Sequence, residues 1–312
     1  MRALVADLFG LCSRLILWIW GVMMGKKAWI WTGVIVVVLL LFIAFRTTLL
    51  DPLGFRVKHT LHITTAAKSE DEPIVFIHGY DGSNWTFFTT TVRYSATDFG
   101  TRSLKLLVRE NGDIDVSGVY DKAMKRPMIR VNFENPRSII PNNATWFSKA
   151  MELLKKDYGI EDVDVVAHSY GGLTFVNFLQ KYNYKANYYP EVNTFTAIGT
   201  PFNGSVVSSD GKTPYDLTAT GPKKESQYFK EMIARKDKIP DNLEMLNIVG
   251  DLDDGSRSDG PVAVDSAKSA AFIFNPANYQ QVMFTGRFAQ HSWLHANIGV
   301  DREIKSFIEA NR

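Results

Sequence analysis

Two hydrophobic patterns alternate along the chain from about residue 56 to residue 312. Short runs rich in β-branched and aromatic residues predict strands, whereas longer stretches with apolar positions three or four residues apart predict helices. The predicted strands are Thr60–Thr64, Ile74–Ile77, Leu104–Val108, Met128–Phe133, Val163–Ala167, Thr194–Ile198, Glu244–Val249 and Gln281–Thr285. The predicted helices are Ala144–Tyr158, Gly171–Tyr182, Glu225–Ala234 and Val300–Ala310. This alternation is typical of an α/β domain in which helices cover both faces of a mostly parallel sheet.

Two segments depart from the alternation. Asn111-Gly112 precedes the short apolar run Ile114–Val116 and predicts a two-residue hairpin turn, and therefore a local antiparallel pair of strands. Residues 205–242 form a polar insertion that holds the predicted helix Glu225–Ala234. Apolar side chains gather on one side of that helix, which fits either a lid over a cleft or an ordinary surface helix.

A long uncharged run, residues 28–45, precedes the domain. As a helix it would be about 27 Å long, close to the hydrocarbon thickness of a bilayer. Lysines and tryptophans lie at its N-terminal end, and basic residues are concentrated before it. We therefore expect a single-pass membrane anchor, with residues 1–27 cytoplasmic or interfacial, residues 46–55 as a linker and residues 56–312 outside the cell. Met23 or Met24 is an alternative start of the chain.

Composition narrows the classes of partner and site. The formal net charge of +2 is near balance, so bulk electrostatics do not point to nucleic acid. Cys12 is the one cysteine of the sequence and precedes the uncharged run. The domain after residue 56 can therefore hold neither an internal disulfide nor a thiolate metal site.

The strongest chemical signal is VDVVAHSYGG at residues 163–172. An apolar strand leads into Ser169 and a helical pattern follows at once, and this arrangement exposes a serine hydroxyl above the edge of a sheet. Small residues are needed two positions before and after the serine, because the strand and helix backbones nearly touch there. Gly171 meets this requirement, and Ala167 replaces the usual first glycine at the cost of one methyl group. The pattern predicts Ser169 as a nucleophile.

A nucleophilic serine needs a histidine base and an acid that orients it, in the chain order Ser, acid, His for this arrangement. Among the six histidines, only His291 and His295 follow Ser169. His291 is nearer the end of the last predicted strand and is favoured as the base, with His295 as the alternative. The loop after Glu244–Val249 offers the candidate acids Asp251, Asp253, Asp254, Asp259 and Asp265.

Backbone donors for a tetrahedral oxyanion are expected at two turns. The predicted strand Ile74–Ile77 leads into His78-Gly79-Tyr80, whose turn directs the N–H of Tyr80 at the intermediate. The second donor is the N–H of Tyr170, the residue after the nucleophile. The ring of His78 is expected to shape the turn through hydrogen bonds.

Five motifs together resemble a known group: FIHGY, AHSYGG, IGTPFNG, SDGPVAVDSA and HSWLHAN. In order and spacing, over nearly all of residues 56–312, they resemble a family of Gram-positive bacterial cell-surface α/β-hydrolases known as domain of unknown function 915. The resemblance implies an α/β-hydrolase fold, no cofactor and activity on short acyl esters. Ser258–Val262 also resembles the N-D-G-x-V loop that carries the triad aspartate of bacterial lipases, which selects Asp259 over Asp254. The spacing from Asp259 to His291 agrees with the family.

The sequence therefore predicts a membrane-anchored, extracellular serine hydrolase that cleaves small-molecule or lipid esters with the triad Ser169, His291 and Asp259. Thioester hydrolysis and acyl transfer use the same groups and are alternatives. A surface-binding protein that keeps the fold without catalysis is a further alternative. Every catalytic role has a candidate residue, which favours the enzyme.

Overall fold

The computed structural model describes residues 71–182, 187–205 and 216–311. The expected membrane segment, residues 28–45, and the predicted strand Thr60–Thr64 lie outside these ranges, as do residues 206–215 of the polar insertion. Within the described ranges, no helix combines the length and the apolar character needed to span a bilayer.

Strands and helices alternate along the described chain, as the hydrophobic pattern predicts. The strands are β1 Ile74–Ile77, β2 Thr101–Val108, β3 Ile114–Ser117, β4 Pro127–Phe133, β5 Asp162–His168, β6 Glu191–Ile198, β7 Leu217–Thr218, β8 Gly221–Pro222, β9 Glu244–Asp251 and β10 Tyr279–Thr285. The α-helices are α1 Phe88–Ala96, α2 Ile140–Tyr158, α3 Tyr170–Lys181, α4 Gln227–Ile233, α5 Val264–Lys268, α6 His291–Leu294 and α7 Ile298–Ala310. Short 3₁₀ turns occupy Lys236–Lys238, Ser269–Phe272, Pro276–Asn278 and Arg287–Ala289.

Eight of the described strands form one sheet in the order β10-β9-β6-β5-β1-β4-β2-β3. Each described pair of neighbours in it is parallel except β2 and β3, which are antiparallel. The remaining two, β7 and β8, form a separate ribbon. The predicted mostly parallel sheet and its local antiparallel pair are both confirmed.

The turn between β2 and β3 differs from the predicted two-residue hairpin. The N–H of Arg109 donates to the C=O of Asp113 at 2.8 Å, and the N–H of Gly112 donates to the C=O of Arg109 at 2.9 Å. Gly112 has a φ of 89°, in the region that favours glycine. The connection is therefore a three-residue loop that ends in a left-handed glycine.

The core lies on both faces of the sheet, because successive side chains of a strand point to opposite sides. In β1, Val75 and Ile77 join the cluster that includes α2 and α3. Ile74 and Phe76 join the cluster on the other face, which includes residues of α1 and α7. A parallel strand buried on both faces reads as a continuous apolar run, as β1 does in the sequence.

The hydrophobic pattern does not predict α1. Its sequence, FTTTVRYSA, contains three consecutive threonines, and β-branched residues are poor helix formers. Tertiary contacts stabilise the helix instead, since Tyr94 is buried and its hydroxyl donates to the C=O of Asp301 at 2.8 Å. Helix α2 also begins earlier than predicted, and Pro141 in its first turn is compatible with a helix start.

The sheet order brings the candidate residues to one edge. The carboxyl ends of parallel strands lie at the same edge of a sheet, where binding sites of α/β proteins form. Tyr80 follows β1, Ser169 follows β5, Asp259 lies in the segment after β9, and His291 follows β10. Residues far apart in the sequence therefore share one edge of the sheet.

Candidate active site

Ser169 lies at the sharp turn between β5 and α3, with φ 56° and ψ −126°. A positive φ is uncommon for a residue with a side chain, and here it directs the hydroxyl away from both the strand and the helix. The N–H of Ser169 donates to the C=O of Ile198 at 2.8 Å, and its C=O accepts from the N–H of Gly172 at 3.0 Å. These bonds hold the serine in the strained conformation that the sequence predicts.

Close backbone contacts explain the small residues around Ser169. A Cβ atom on Gly171 would lie 2.6 Å from the carbonyl oxygen of His78 and 2.7 Å from that of Ile77. Any side chain at position 171 would therefore push helix α3 away from β1. Ala167 is fully buried in the sheet, paired with Ile77 on one side and Ala197 on the other. A methyl group fits there, so the departure from glycine is tolerated.

The side chains of Ser169, His291 and Asp259 form a chain of hydrogen bonds. Nε2 of His291 lies 2.9 Å from Oγ of Ser169, and Nδ1 of His291 lies 2.7 Å from Oδ2 of Asp259. An ionised carboxylate can only accept, so Nδ1 carries the proton and Nε2 is left to accept from the serine hydroxyl. The three residues selected from the sequence are thus brought together in the geometry of a nucleophile, a base and an orienting acid.

Asp259 is 1% exposed, and burial raises the pKa of its carboxyl group. Hydrogen bonds from Nδ1–H of His291 and from the N–H of Val262 oppose this effect on the pKa, and the second bond joins Oδ1 at 2.8 Å. The main chain adds a further link, since the N–H of His291 donates to the C=O of Asp259 at 2.8 Å. Each carboxyl oxygen therefore has its own donor, which fixes the plane of the acid.

The other candidate acids have different roles. Asp254 is exposed, and hydrogen bonds from the side chain and backbone of Ser256 lower the pKa of its carboxyl group. Asp265 forms an ion pair with Arg257 at 2.8 Å. Across the described residues, no group of three His, Cys, Asp or Glu side chains is arranged to hold a metal ion. Among the described contacts of these candidate acids, the one with a histidine is made by Asp259.

His295, the alternative base, packs against neighbours of the proposed triad and has no described contact with Ser169. Its ring packs against His168, with ring centroids 4.7 Å apart, and against Phe87 at 5.8 Å. Burial lowers the pKa of His295 to about 4. Among the described contacts, the ring of His291 reaches Ser169 and that of His295 does not.

The turn after β1 is held by His78 and lies against the nucleophile. The N–H of Phe133 donates to Nε2 of His78 at 3.2 Å, so Nδ1 carries the proton and donates to the C=O of Gly79 at 2.8 Å. Burial lowers the pKa of His78, which favours this neutral form. A Cβ atom on Gly79 would lie 2.7 Å from Cβ of Ser169, so this backbone contacts the nucleophile directly.

Tyr80 and Tyr170, the predicted oxyanion donors, lie just after the ends of β1 and β5. Within the described chain, the N–H of Tyr80 donates no protein hydrogen bond. Tyr170 is the first residue of α3, where backbone N–H groups and the helix dipole favour negative charge. The two rings contact each other, with centroids 5.8 Å apart. The oxyanion role of these N–H groups stays a prediction.

Two residues to which the sequence reasoning gave no role contact the site. Gly199 has a φ of 55°, and a Cβ atom on it would lie 3.0 Å from Oδ2 of Asp259 and 3.1 Å from Nδ1 of His291. Its signal in the sequence is a glycine directly after a strand, at the edge where the site forms. His168, the residue before Ser169, has its Nε2 3.0 Å from the carbonyl oxygen of His291.

The described part of the polar insertion is anchored to the domain. Helix α4 buries Phe229 and Met232 in the core, and the side-chain amide of Gln180 donates to the C=O of Met232 at 2.8 Å. Oδ1 of Asn203 accepts from the N–H of Ser226 at 2.8 Å. The apolar side of the helix therefore packs on the body of the domain, and a lid function stays a prediction.

Comparison with known proteins places the chain in a family. Residues 62–311 match the model of an α/β-hydrolase family of unknown function, DUF915. The chain belongs to this family. The α/β-hydrolase fold implied by the five motifs is thus confirmed, and in this fold the turn between strand and helix carries the nucleophile. No curated protein matches the chain.

Two solved structures share the architecture. A gene product of Listeria innocua is 26% identical with a TM-score of 0.71, and the match covers 78% of this chain and 96% of that one. A Lactobacillus plantarum protein named as a cell surface hydrolase is 23% identical with a TM-score of 0.60, over 78% of this chain and 91% of that one. The second likeness shows the fold alone.

Proposed function

We propose that the protein is a carboxylic ester hydrolase that uses Ser169 as its nucleophile. One observation carries the proposal: hydrogen bonds of 2.9 Å and 2.7 Å connect Ser169 through His291 to the buried Asp259. This arrangement lies at the carboxyl edge of the sheet, in a member of an α/β-hydrolase family. A serine that is held in a strained turn beside a histidine base is the arrangement that nucleophilic acyl transfer requires.

In the first half of the reaction, Oγ of Ser169 attacks the ester carbonyl carbon and its proton passes to Nε2 of His291. Asp259 holds the imidazolium that forms and keeps the proton on Nδ1. The carbonyl electrons move to the oxygen, and the N–H groups of Tyr80 and Tyr170 stabilise that charge. An oxyanion donor of this kind lowers the activation barrier by roughly 3 kcal/mol. The intermediate collapses when His291 returns the proton to the leaving alcohol.

In the second half, water replaces the alcohol. Nε2 of His291 takes a proton from the water as it attacks the acyl-enzyme carbonyl, and a second tetrahedral intermediate forms. Collapse of that intermediate breaks the bond to Oγ, and His291 gives the proton back to Ser169. The products are a carboxylic acid and the free serine.

Short acyl esters, of small molecules or of lipids, are the proposed substrates. The family resemblance supports this choice, and so does the contact between the rings of Tyr80 and Tyr170 beside the nucleophile. Each proposed oxyanion position carries one aromatic ring. These two rings leave less room for a long acyl chain than two small side chains would.

A fluorophosphonate probe tests the proposal, because it reacts with an activated serine. We expect the wild-type protein to be labelled and Ser169→Ala to be unlabelled, while p-nitrophenyl acetate and butyrate are hydrolysed faster than the decanoate. A wild-type protein that is folded and neither labelled nor active on any of these esters would show that the fold is used without catalysis.

We also propose that residues 28–45 anchor the enzyme in the cell membrane with the catalytic domain outside. The support is the uncharged run and the basic residues before it. Protease added to intact cells should digest the domain. Digestion only after lysis would reverse the proposed orientation.

A further inference from the structure

His168 lies at the centre of the site, although the mechanism above does not use it. Its ring is buried between two other histidine rings, with centroids 4.6 Å from that of His291 and 4.7 Å from that of His295. It directly precedes Ser169 in the chain, at the end of β5. The side chain of His168 therefore contacts the proposed base, and its backbone is bonded directly to that of the nucleophile.

The hydrogen bonding of His168 defines its tautomer. Nε2 lies 3.0 Å from the carbonyl oxygen of His291, and a carbonyl oxygen can only accept, so Nε2 carries the proton. The other ring nitrogen, Nδ1, lies near the turn after β1, because a Cβ atom on Gly79 would be 3.3 Å from it. Burial lowers the pKa of His168 well below its ordinary value, which keeps the ring neutral.

The backbone of His291 is thus held at both of its polar groups. Its N–H donates to the C=O of Asp259 at 2.8 Å, and its C=O accepts from His168. The first bond ties the base to the acid, and the second ties it to the residue before the nucleophile. The distance between Nε2 of His291 and Oγ of Ser169 therefore depends on a bond made one residue away from Ser169.

We propose that His168 is a positioning residue, which fixes the base relative to the nucleophile by donating its Nε2–H to the carbonyl oxygen of His291. The proposal rests on the function proposed above. The same ring also lies close to Gly79, in the turn His78-Gly79-Tyr80 that carries the proposed oxyanion donor. One side chain would then align the base and pack against this turn. Misplacement of a reacting group by about 1 Å can lower a rate roughly 10²-fold, so a bond of this kind has a measurable effect.

The test compares two variants that differ in the donor. In His168→Gln, the side-chain NH₂ stands as many bonds from Cα as Nε2 does in histidine, whereas His168→Met places a methyl group there. We expect His168→Met to lower kcat on p-nitrophenyl acetate by roughly 10- to 100-fold, with KM changed by less than about twofold, and the rate of fluorophosphonate labelling to fall in parallel. His168→Gln should recover most of this loss.

His295→Phe is the matched control, because it keeps a ring against His168 and leaves the bond between His168 and His291 unchanged. It should retain at least roughly a tenth of the wild-type kcat, as expected for a packing residue. Melting temperatures of the three variants show whether a loss of activity comes from unfolding or, in a folded protein, from a displaced His291. If His168→Gln is folded and as slow as His168→Met, the donor is not what matters and the proposal fails.

Proton NMR of the imidazole N–H shared by His291 and Asp259 adds a measurement that does not depend on turnover. The downfield resonance should be observed in the wild type and in His295→Phe, and broadened or lost in His168→Met. If the wild type is labelled by the probe while His168→Met keeps both its kcat and this resonance, the positioning role is wrong and the proposed function stands. If the wild type is not labelled, the proposed function fails, and the resonance alone decides whether His168 holds His291 in place.

Discussion

The substitution Gly199→Ala would place one methyl group against the hydrogen bond that orients the base. Gly199 follows β6 and its φ is 55°, in the region that residues with side chains rarely adopt. The new Cβ atom would lie 3.0 Å from Oδ2 of Asp259, 3.1 Å from Nδ1 of His291 and 3.4 Å from Cε1 of the same ring. The first two distances are shorter than ordinary van der Waals contacts, so the carboxylate, the imidazole or the β6 backbone must move.

Two separable effects follow from this substitution. The left-handed backbone costs roughly 1–2 kcal/mol of stability for a residue with a Cβ atom. A displacement of a few tenths of an ångström in Asp259 or His291 weakens their alignment, without the complete loss of about 10⁴-fold that follows when the acid can no longer orient the base. We therefore expect kcat to fall by roughly 10-fold, less than the roughly 10²-fold that a misplacement of about 1 Å can cause.

Gly112→Ala is the control, because Gly112 also has a positive φ, of 89°, and a Cβ atom there would have no neighbour within 4 Å. Both variants should lose stability in urea unfolding, Gly199→Ala at least as much as Gly112→Ala because its methyl group also crowds buried atoms, and only Gly199→Ala should lose kcat on p-nitrophenyl acetate. Unchanged kcat in a folded Gly199→Ala protein would contradict this prediction, since it would mean that crowding of Asp259 and His291 does not limit the reaction.

The remaining predictions concern the proposed triad and its neighbour His295. Ser169→Ala should lower kcat roughly 10⁶-fold, to the level left by substrate binding and the oxyanion hole. His291→Ala should lower kcat by nearly as much. A Ser169→Ala protein of wild-type activity in an ester assay would disprove the mechanism. Asp259→Asn should cost roughly 10⁴-fold, whereas Asp254→Asn should be nearly silent, and the reverse order would assign the acid to Asp254. Burial lowers the pKa of His295 from 6.5 to about 4, so its contribution to stability is complete above pH 6.5 and is lost as the pH falls toward 4, by at most about 3 kcal/mol. Urea unfolding should therefore show a smaller loss of stability between pH 7 and pH 5 in His295→Phe than in the wild type, and equal losses would contradict the pKa argument.

The class of the fold and the position of the nucleophile could be predicted from the sequence because both depend on local patterns. The run at β1 is continuously apolar, and β5 and β9 are apolar apart from single polar positions, Asp164 and Asn247, between their ends, as expected for strands of a buried parallel sheet. The turn at Ser169 needs a strand before it, a helix after it and small residues within two positions, all of which lie in ten consecutive residues, 163–172. Helix α1 could not be predicted in the same way, because its threonines oppose the helix locally and its stability comes from contacts with distant residues.

The partners of Ser169 depended on more than local pattern. From residue spacing alone, five aspartates and two histidines were candidates, and a resemblance to known families was needed to choose among them. Asp254 and Asp259 lie five residues apart on one loop, yet one caps its own turn in solvent while the other is buried against His291. Which of them faces inward is decided by how the loop folds after β9.

The contacts of Gly199 and His168 were beyond any pattern in the sequence. His168 and His291 are separated by 123 positions, and their hydrogen bond exists because the strand order places the end of β5 two strands from the end of β9 and three from that of β10. A glycine after a strand and a histidine before a serine each fit many local environments. Only the packing of the parallel strands, which brings their carboxyl ends to one edge, determines that both residues contact the imidazole and the backbone of His291.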